Sequence, residues 1–363
     1  MPREEVRRWL SERHFPAERF ARLAELGVCG LTIDEDFGGV GRDIVAATLV
    51  IEELCRRGTS LGGPYIHCAF YGGINISEKG SEAQKRELLP KLATGDILFA
   101  YGLSEPDVGA DLASVKTRAE KVDGGRSVRI NGVKRWCTAA SIADYIYCLV
   151  RSDADAPRYR NLSLILIPTD SRGITIEHIE HMGLGYAETS DVTFENVEVP
   201  IENVIGGEDG WNEGWPMLAG PALDVEKLEI AAMAQGIASA AVDEAWEYAR
   251  ERQQFGRRIA DFQAVAHALA DARTRLAASE ALLYRSAWLA DRRDPCTVET
   301  FMAKLFVTET AADVALECQK IMGAYGCAAE YDMMRHVQDL LLLPIIGGSS
   351  NIQRNNIVKR LRL

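Results

Sequence analysis

The sequence is short of the groups that announce metal or nucleic-acid chemistry. Its 363 residues include six histidines, and these show no metal-ligand spacing, so no metal site is expected. Eight cysteines (Cys29, Cys55, Cys68, Cys137, Cys148, Cys296, Cys318 and Cys327) form no Cys-x-x-Cys pair. They read as reduced, mostly buried thiols of a cytoplasmic protein. Basic residues are outnumbered: 41 Lys and Arg stand against 53 Asp and Glu, a formal charge of −12. That balance excludes a nucleic-acid-binding stripe and argues against an anionic membrane surface. No apolar run reaches transmembrane length, and the opening "MPREEVRRWL" does not read as a signal peptide. There is no Walker loop. The nearest approach to a dinucleotide fingerprint, "GLGYAE" at 183–188, lacks the third glycine and the strand–helix context.

What is present falls into three zones. Residues 1–98 read as a helical domain, with "PAERFARLAELG" stopping at Gly27 and "DIVAATLVIEELCRRG" at Gly58. "GSEAQKRELLPKLATGD" predicts a short helix, with Ser81 as N-cap and Pro90 ending it. From 99 to 208 the period changes to alternation. Asp123-Gly124 and Asn131-Gly132 predict hairpin turns, and "YIYCLV", "LSLILI", "ITIEHI" and "DVTFENVEV" predict further strands of a small barrel or sandwich. From 209 to 363 long Ala-rich helices return and predict a four-helix bundle, its last helix following Ser349. The fold class is therefore multidomain α+β.

Several stretches have both a structural and a chemical reading. "YGLSEPDVGADLAS" (101–114) is a well-made domain junction or a loop presenting N–H groups to an anion or a flat heterocycle. Trp136 and Thr138, two apart on a predicted strand, share a face that suits core packing or an aromatic ligand needing one hydrogen bond. "RERQQFGRRIADFQA" (250–264) concentrates Arg250, Arg252, Arg257 and Arg258 at a solvated helix end or a diphosphate site. "PIIGGSSNIQR" (344–354) looks like a ligand loop, yet its first half holds no acid, base or nucleophile.

Taken in order, these stretches resemble the acyl-CoA dehydrogenase family over nearly the whole chain. "GLSEPDVGAD" resembles its flavin signature and "KRWCT" its Trp-x-Ser/Thr strand. "LDVEKLEIAAMAQG" resembles LDxERxxIAAxAxG, and "RQQFGRRIADFQA" resembles RxQFGxxIxxFQ. "QKIMGAYG" resembles QxxGGxG, and "GGSSNIQR" resembles EGTSxIQR. The resemblance implies N-terminal helices, a middle β domain and a C-terminal bundle. It implies FAD as cofactor, an acyl-CoA substrate, an electron-transferring flavoprotein as partner, and a homo-oligomer, dimer or tetramer. It places Leu103, Ser104, Gly109, Trp136 and Thr138 at the flavin, and Ser349, Ser350 and Asn351 where the loop meets the cofactor again. Arg252, Phe255 and Gln263 would meet the FAD of a neighbouring subunit, and Lys320 and Gly323 would also bind the cofactor. Ala110, Asp224, Lys227 and Gly348 would face the substrate.

The departures bear on chemistry. The usual catalytic glutamate of EGTS is Gly347 here. In long-chain and isovaleryl types the base stands instead at the glutamate of LDxER, which here is Glu226, so the resemblance makes Glu226 the expected base. Gly347 is left the duty of donating a backbone N–H to the thioester oxygen. Ala110, Lys227, Lys320 and Ala324 also depart from the common pattern. "GGPYIHCAFYGG" (62–73) falls at the family's acyl pocket, where Tyr65, His67 and Tyr71 add polarity or simply pack in the core. Gly62 stands near where dicarboxylate-specific members carry Arg, which disfavours a glutaryl-type substrate. Three readings follow: an acyl-CoA dehydrogenase with Glu226 as base, a relative with altered chemistry (non-oxidative elimination or a carrier-protein-bound acyl group), or a catalytically silent partner subunit.

Overall fold

The computed structural model describes residues 2–219 and 221–362, and the side chains of residues 221–224 lie outside the described residues, Asp224 among them. The first zone holds helices α1 (Arg3–Ser11), α2 (Ala17–Ala24), α3 (Ile44–Arg56) and α4 (Thr59–Tyr65). Helix α4 runs on into a π-helical stretch, Ile66–Ile74, followed by α5 (Asn75–Lys79) and α6 (Glu82–Ala93). Ser81 caps α6 with a full capping box: its Oγ accepts from Gln84 N at 3.2 Å, and its own N–H donates to Gln84 Oε1 at 2.9 Å. Pro90 does not end this helix, as the sequence suggested, but sits inside its last turn. The one intrahelical hydrogen bond it deletes would have gone to the carbonyl of exposed Arg86.

The middle zone is a single sheet of seven strands: β1 (Phe99–Gly102), β2 (Arg118–Val122), β3 (Ser127–Thr138), β4 (Tyr145–Arg151), β5 (Leu162–Pro168), β6 (Ile174–His178) and β7 (Thr189–Pro200). The order is β1-β4-β2-β3-β7-β6, with β5 paired to β4. Most pairings are antiparallel, β1 against β4 being the main parallel one, and the sheet curls as a half-barrel. Strands β4 and β5 are buried almost throughout, which is why they read as unbroken apolar runs. Of the two turn signals, Asp123-Gly124 does join β2 to β3. Asn131-Gly132 is instead a bulge within β3. Gly132 has φ +147°, and a Cβ there would lie 2.6 Å from Thr117 Cα, so close backbone approach explains the glycine without a turn.

After the short α7 (Gly214–Leu218) come α8 (Pro221–Glu251), a two-strand hairpin β8 (Gln253–Gln254) and β9 (Arg257–Arg258), and α9 (Gln263–Asp291). Helices α10 (Thr297–Met322), α11 (Met333–Leu342) and α12 (Ser350–Leu361) complete the chain. Pro221 starts α8 where its missing N–H costs nothing. Helix α10 packs along α8 and α9, α12 lies on α10, and α3 lies across α8. The zones are stitched by polar contacts as well as apolar ones. Gln84 Nε2 donates to Glu202 O and Val204 O, each at 2.8 Å, and Tyr284 donates to Glu52 Oε2 at 2.8 Å. All eight cysteines are free thiols, seven of them buried and Cys327 exposed. Among the described residues no helix is long and apolar enough to cross a membrane.

Candidate active site

One face of α8 carries Glu226, Glu229 and Ile230, at i, i+3 and i+4 spacing. Glu226 and Glu229 line a narrow cleft with Phe70, Tyr71 and Ile74 of the π-helical stretch, Asn75, and Tyr101 of β1. The π turns place Tyr71 over Tyr101, their rings stacked at 3.8 Å and 12°. Asn75 Nδ2 fixes this stack, donating to Tyr101 Oη at 2.6 Å and to the Tyr71 carbonyl at 3.0 Å. Tyr147, opposite Tyr101 in the register of β1 and β4, has a buried hydroxyl with no hydrogen-bond partner.

The two carboxyls differ. Glu226 is half-buried at the rim, whereas Glu229 is fully buried. Burial pushes Glu226 above the usual carboxylate range, and the charges of Lys227 and Lys304 pull it partly back. Burial and the neighbouring Glu226 push Glu229 well above it. Lys304 of α10 is itself lowered to about 7, by burial and then by Lys227. Lys227 is buried within this charge cluster.

The 344–354 loop closes over the same helix face. A Cβ at Gly347 would lie 1.9 Å from Ile230 Cδ1, and the residue has φ +57°, so side-chain volume is excluded there twice over. Lys304 Nζ donates to Gly348 O at 2.9 Å, and Gln353 Nε2 donates to the same oxygen at 2.7 Å and to Gly347 O at 3.3 Å. Ser350 donates through its N–H to Pro344 O at 2.9 Å, while Ser349 caps α12 without a side-chain bond and Asn351 is exposed. Of the three polar residues expected from 62–73, only Tyr71 lines the cleft. His67 is fully buried, its Nδ1 against Phe99 O at 2.8 Å and its Nε2 against Tyr186 Oη at 2.9 Å. Burial lowers it to about 4, so the ring is neutral, with Nδ1–H donating and Nε2 accepting. Tyr65 is also buried, its hydroxyl donating to Val28 O at 3.2 Å.

A second group gathers at the edge of the sheet. Arg135 N donates to Ser104 O at 2.9 Å, which lays the loop of Leu103, Ser104, Gly109 and Ala110 beside the end of β3. A register break between Lys134 and Cys137 gives Trp136 a left-handed backbone (φ +66°) and leaves its indole 53 % exposed. Thr138 Oγ1 pairs with Thr189 Oγ1 at 3.0 Å. The loop is anchored by a pair the sequence reading missed. Glu105 accepts from buried Lys134 Nζ at 2.8 Å and from the N–H groups of Lys116 and Thr117 at 2.7 and 2.8 Å. Burial alone would raise this carboxyl, but Lys134 and the amides hold it below the usual range.

A third group stands apart. The hairpin turns through Phe255 and Gly256, both at positive φ, as a two-residue turn of right-handed strands requires. Phe255 is 93 % exposed at its tip. Arg252 stacks over Tyr325 at 5.5 Å and, among the described residues, has no carboxylate partner. Arg250 and Arg258 are paired with Glu247 and Asp261, and Arg257 lies over Phe262. Gln263 begins α9 and is exposed, Gly323 closes α10, and Lys320 pairs with Glu317 at 2.6 Å. From Glu226 to Arg252 the chain follows α8 at about 1.5 Å per residue, which sets this group about 40 Å from the cleft.

Comparison with known proteins bears on all three groups. Three family models cover the chain: acyl-CoA dehydrogenase N-terminal domain over residues 2–96, middle domain over 100–197 and C-terminal domain over 212–362. A probable acyl-CoA dehydrogenase of Bacillus subtilis is 34 % identical over 96 % of this chain and 90 % of its own length. The benzylmalonyl-CoA dehydrogenase of Aromatoleum aromaticum is 36 % identical over the same shares, 96 % and 90 %. The structure of butyryl-CoA dehydrogenase from Megasphaera elsdenii superposes with a TM-score of 0.93 at 29 % identity, over 99 % of this chain and 93 % of that one. With three ordered domain matches and a common fold, the chain belongs to the acyl-CoA dehydrogenase family of FAD-dependent oxidoreductases.

Proposed function

We propose that Glu226 is the base that removes the α-proton of an acyl-CoA thioester seated in the α8 cleft. The observation that carries this is its position: a half-buried carboxyl at the cleft rim, raised by burial, on the helix face covered by the Gly347 loop. A thioester α-proton is weakly acidic, so a base of raised pKa in a water-poor cleft matches the task. The charges of Lys227 and Lys304 oppose the effect of burial and favour the carboxylate form. Among the described residues no hydrogen bond engages the Gly347 N–H, which leaves it to donate to the thioester oxygen as negative charge develops there.

The groups along the sheet edge fit FAD. An indole held more than half exposed on a strained bulge offers a flat face to a flavin, with Thr138 and Ser104 supplying polar groups beside it. When bound, FAD supplies the acceptor for the β-hydride. The protein orients the acyl chain between Tyr71, Tyr101 and α8 and excludes water from it. Leu103, Gly109, Ser349, Ser350 and Asn351 belong to the same cofactor cradle, and Ala110, Asp224 and Gly348 to the substrate side.

The hairpin group serves a different active site. At about 40 Å from Glu226, Arg252, Phe255, Gln263, Lys320 and Gly323 lie too far away to share a cofactor with that residue's cleft. An exposed Phe and an arginine without a carboxylate partner fit the diphosphate end of a second subunit's FAD, so the enzyme is a homo-oligomer. Electrons then leave to an electron-transferring flavoprotein, in a cytoplasmic setting that suits eight free thiols.

The test is an anaerobic titration of the yellow holoenzyme with a panel of acyl-CoA esters, in wild type and Glu226→Gln. Flavin bleaching is expected in wild type and lost in the variant. Bleaching that survives unchanged would remove Glu226 as the base.

A further inference from the structure

Removal of an α-proton uses one carboxyl, and the cleft contains two. Glu229 lies one helical turn beyond Glu226, fully buried and lining the same space. Tyr71 comes near enough to favour its ionised form slightly, yet neither carboxyl oxygen makes a hydrogen bond of acceptable geometry. Interiors rarely leave a carboxyl unpaired, because it has given up water for nothing. The remaining lining, Phe70, Tyr71, Ile74, Asn75 and Tyr101, carries no positive charge. The charge of buried Lys227 favours ionised Glu229 from outside this lining, and Lys304 is turned to the Gly348 carbonyl.

Three kinds of acyl tail meet this lining differently. A hydrocarbon leaves Glu229 unpaired. A carboxylate, such as the dicarboxylic acyl group in the name of the benzylmalonyl relative, adds negative charge where Glu226 already opposes the ionisation of Glu229. A cation gives Glu229 its missing partner and lies beside stacked phenol rings whose faces attract positive charge. We propose that Glu229 determines specificity by receiving a cationic nitrogen on the acyl group, so that the preferred thioester carries an ammonium. This rests on the reading of the α8 cleft as the acyl site.

The test compares isosteric pairs of CoA esters in stopped-flow reduction of the holoenzyme. One pair is prolyl and cyclopentanecarbonyl, differing by a ring ammonium against a methylene. The other is a trimethylammonium-ended butyryl ester and its carbon isostere, with a tert-butyl end. In wild type the cationic member of at least one pair is expected to reduce the flavin about tenfold faster or more, the effect of one close charge pair. Glu229→Gln should collapse that cationic-to-neutral ratio, and Glu229→Leu should invert it; FAD content and circular dichroism establish that each variant is folded. Neutral esters winning in both pairs, or a ratio unmoved by Glu229→Gln, would overturn the inference. So would reduction by butyryl-CoA with none by the cationic esters, a result that leaves Glu226 as base standing. A wild-type flavin that no ester reduces would overturn the acyl-site reading itself, and this inference with it.

Discussion

Replacing Gly347 by alanine tests the architecture of the 344–354 loop. The added Cβ would sit 1.9 Å from Ile230 Cδ1, about half of an ordinary carbon–carbon contact of about 3.5–4.0 Å. Ile230 must change rotamer or the loop must lift. Overpacking of this kind costs about 1–3 kcal/mol. Alanine at φ +57° adds about 1 kcal/mol. The substitution should therefore destabilise the holoenzyme by about 2–4 kcal/mol. The two contributions separate in a cycle with Ile230→Val, which deletes the struck Cδ1 atom at a cost of about 0.5–1.5 kcal/mol. In the double variant the clash is gone and only the backbone strain remains, so the variants should couple favourably by about 1–3 kcal/mol. Urea unfolding followed by tryptophan fluorescence, at fixed protein and FAD concentration, measures each corner. Costs that add to within about 0.5 kcal/mol would refute the claim that Gly347 is glycine to admit Ile230.

Four further outcomes follow from the geometry. As the proposed base, Glu226 would have to be ionised, and its pKa is raised above 4.5, so flavin reduction should fall as pH drops through a value above the usual carboxylate range. Lys304→Met, which removes a cation that favours the carboxylate, should move that profile to higher pH while Gln353 still holds the Gly348 carbonyl; a profile that stays in place would count against the electrostatic assignment. Phe255→Ala touches a side chain exposed in the single chain, so protomer folding should change by no more than about 0.5 kcal/mol while sedimentation shows a smaller assembly or FAD is lost. Lys134→Met leaves Glu105 buried and charged without its ammonium, and should cost about 3–5 kcal/mol in chemical denaturation, far more than any surface lysine.

The fold was legible because its signals are periodic and local. The capping box at Ser81, the apolar runs of β4 and β5, and the long helices need only neighbours in sequence to be recognised. Local signals also misled where a distant residue decided the outcome. Asn131-Gly132 has the composition of a turn, but Thr117, just before the adjacent strand β2, is what requires glycine there. Pro90 has the look of a helix stop, but it sits in the last turn, where it deletes only one bond, to the carbonyl of exposed Arg86. At the site, the three-residue spacing of Glu226 and Glu229 was available in the sequence, yet nothing local marks one as a rim carboxyl and the other as a deeper, fully buried one.

By itself the sequence determined the family and the order of helical, β and helical zones, since each is written in motifs and periodicity. Only the tertiary structure decided what Gly347 is for, because its constraint is Ile230, far away along the chain. Only it gathered Tyr71, Tyr101 and Asn75 around two carboxyls and brought Lys304 to the loop, because these contacts join different elements. The tertiary structure also set the hairpin at the far end of α8, where a straight helix holds it apart from the cleft on its own chain.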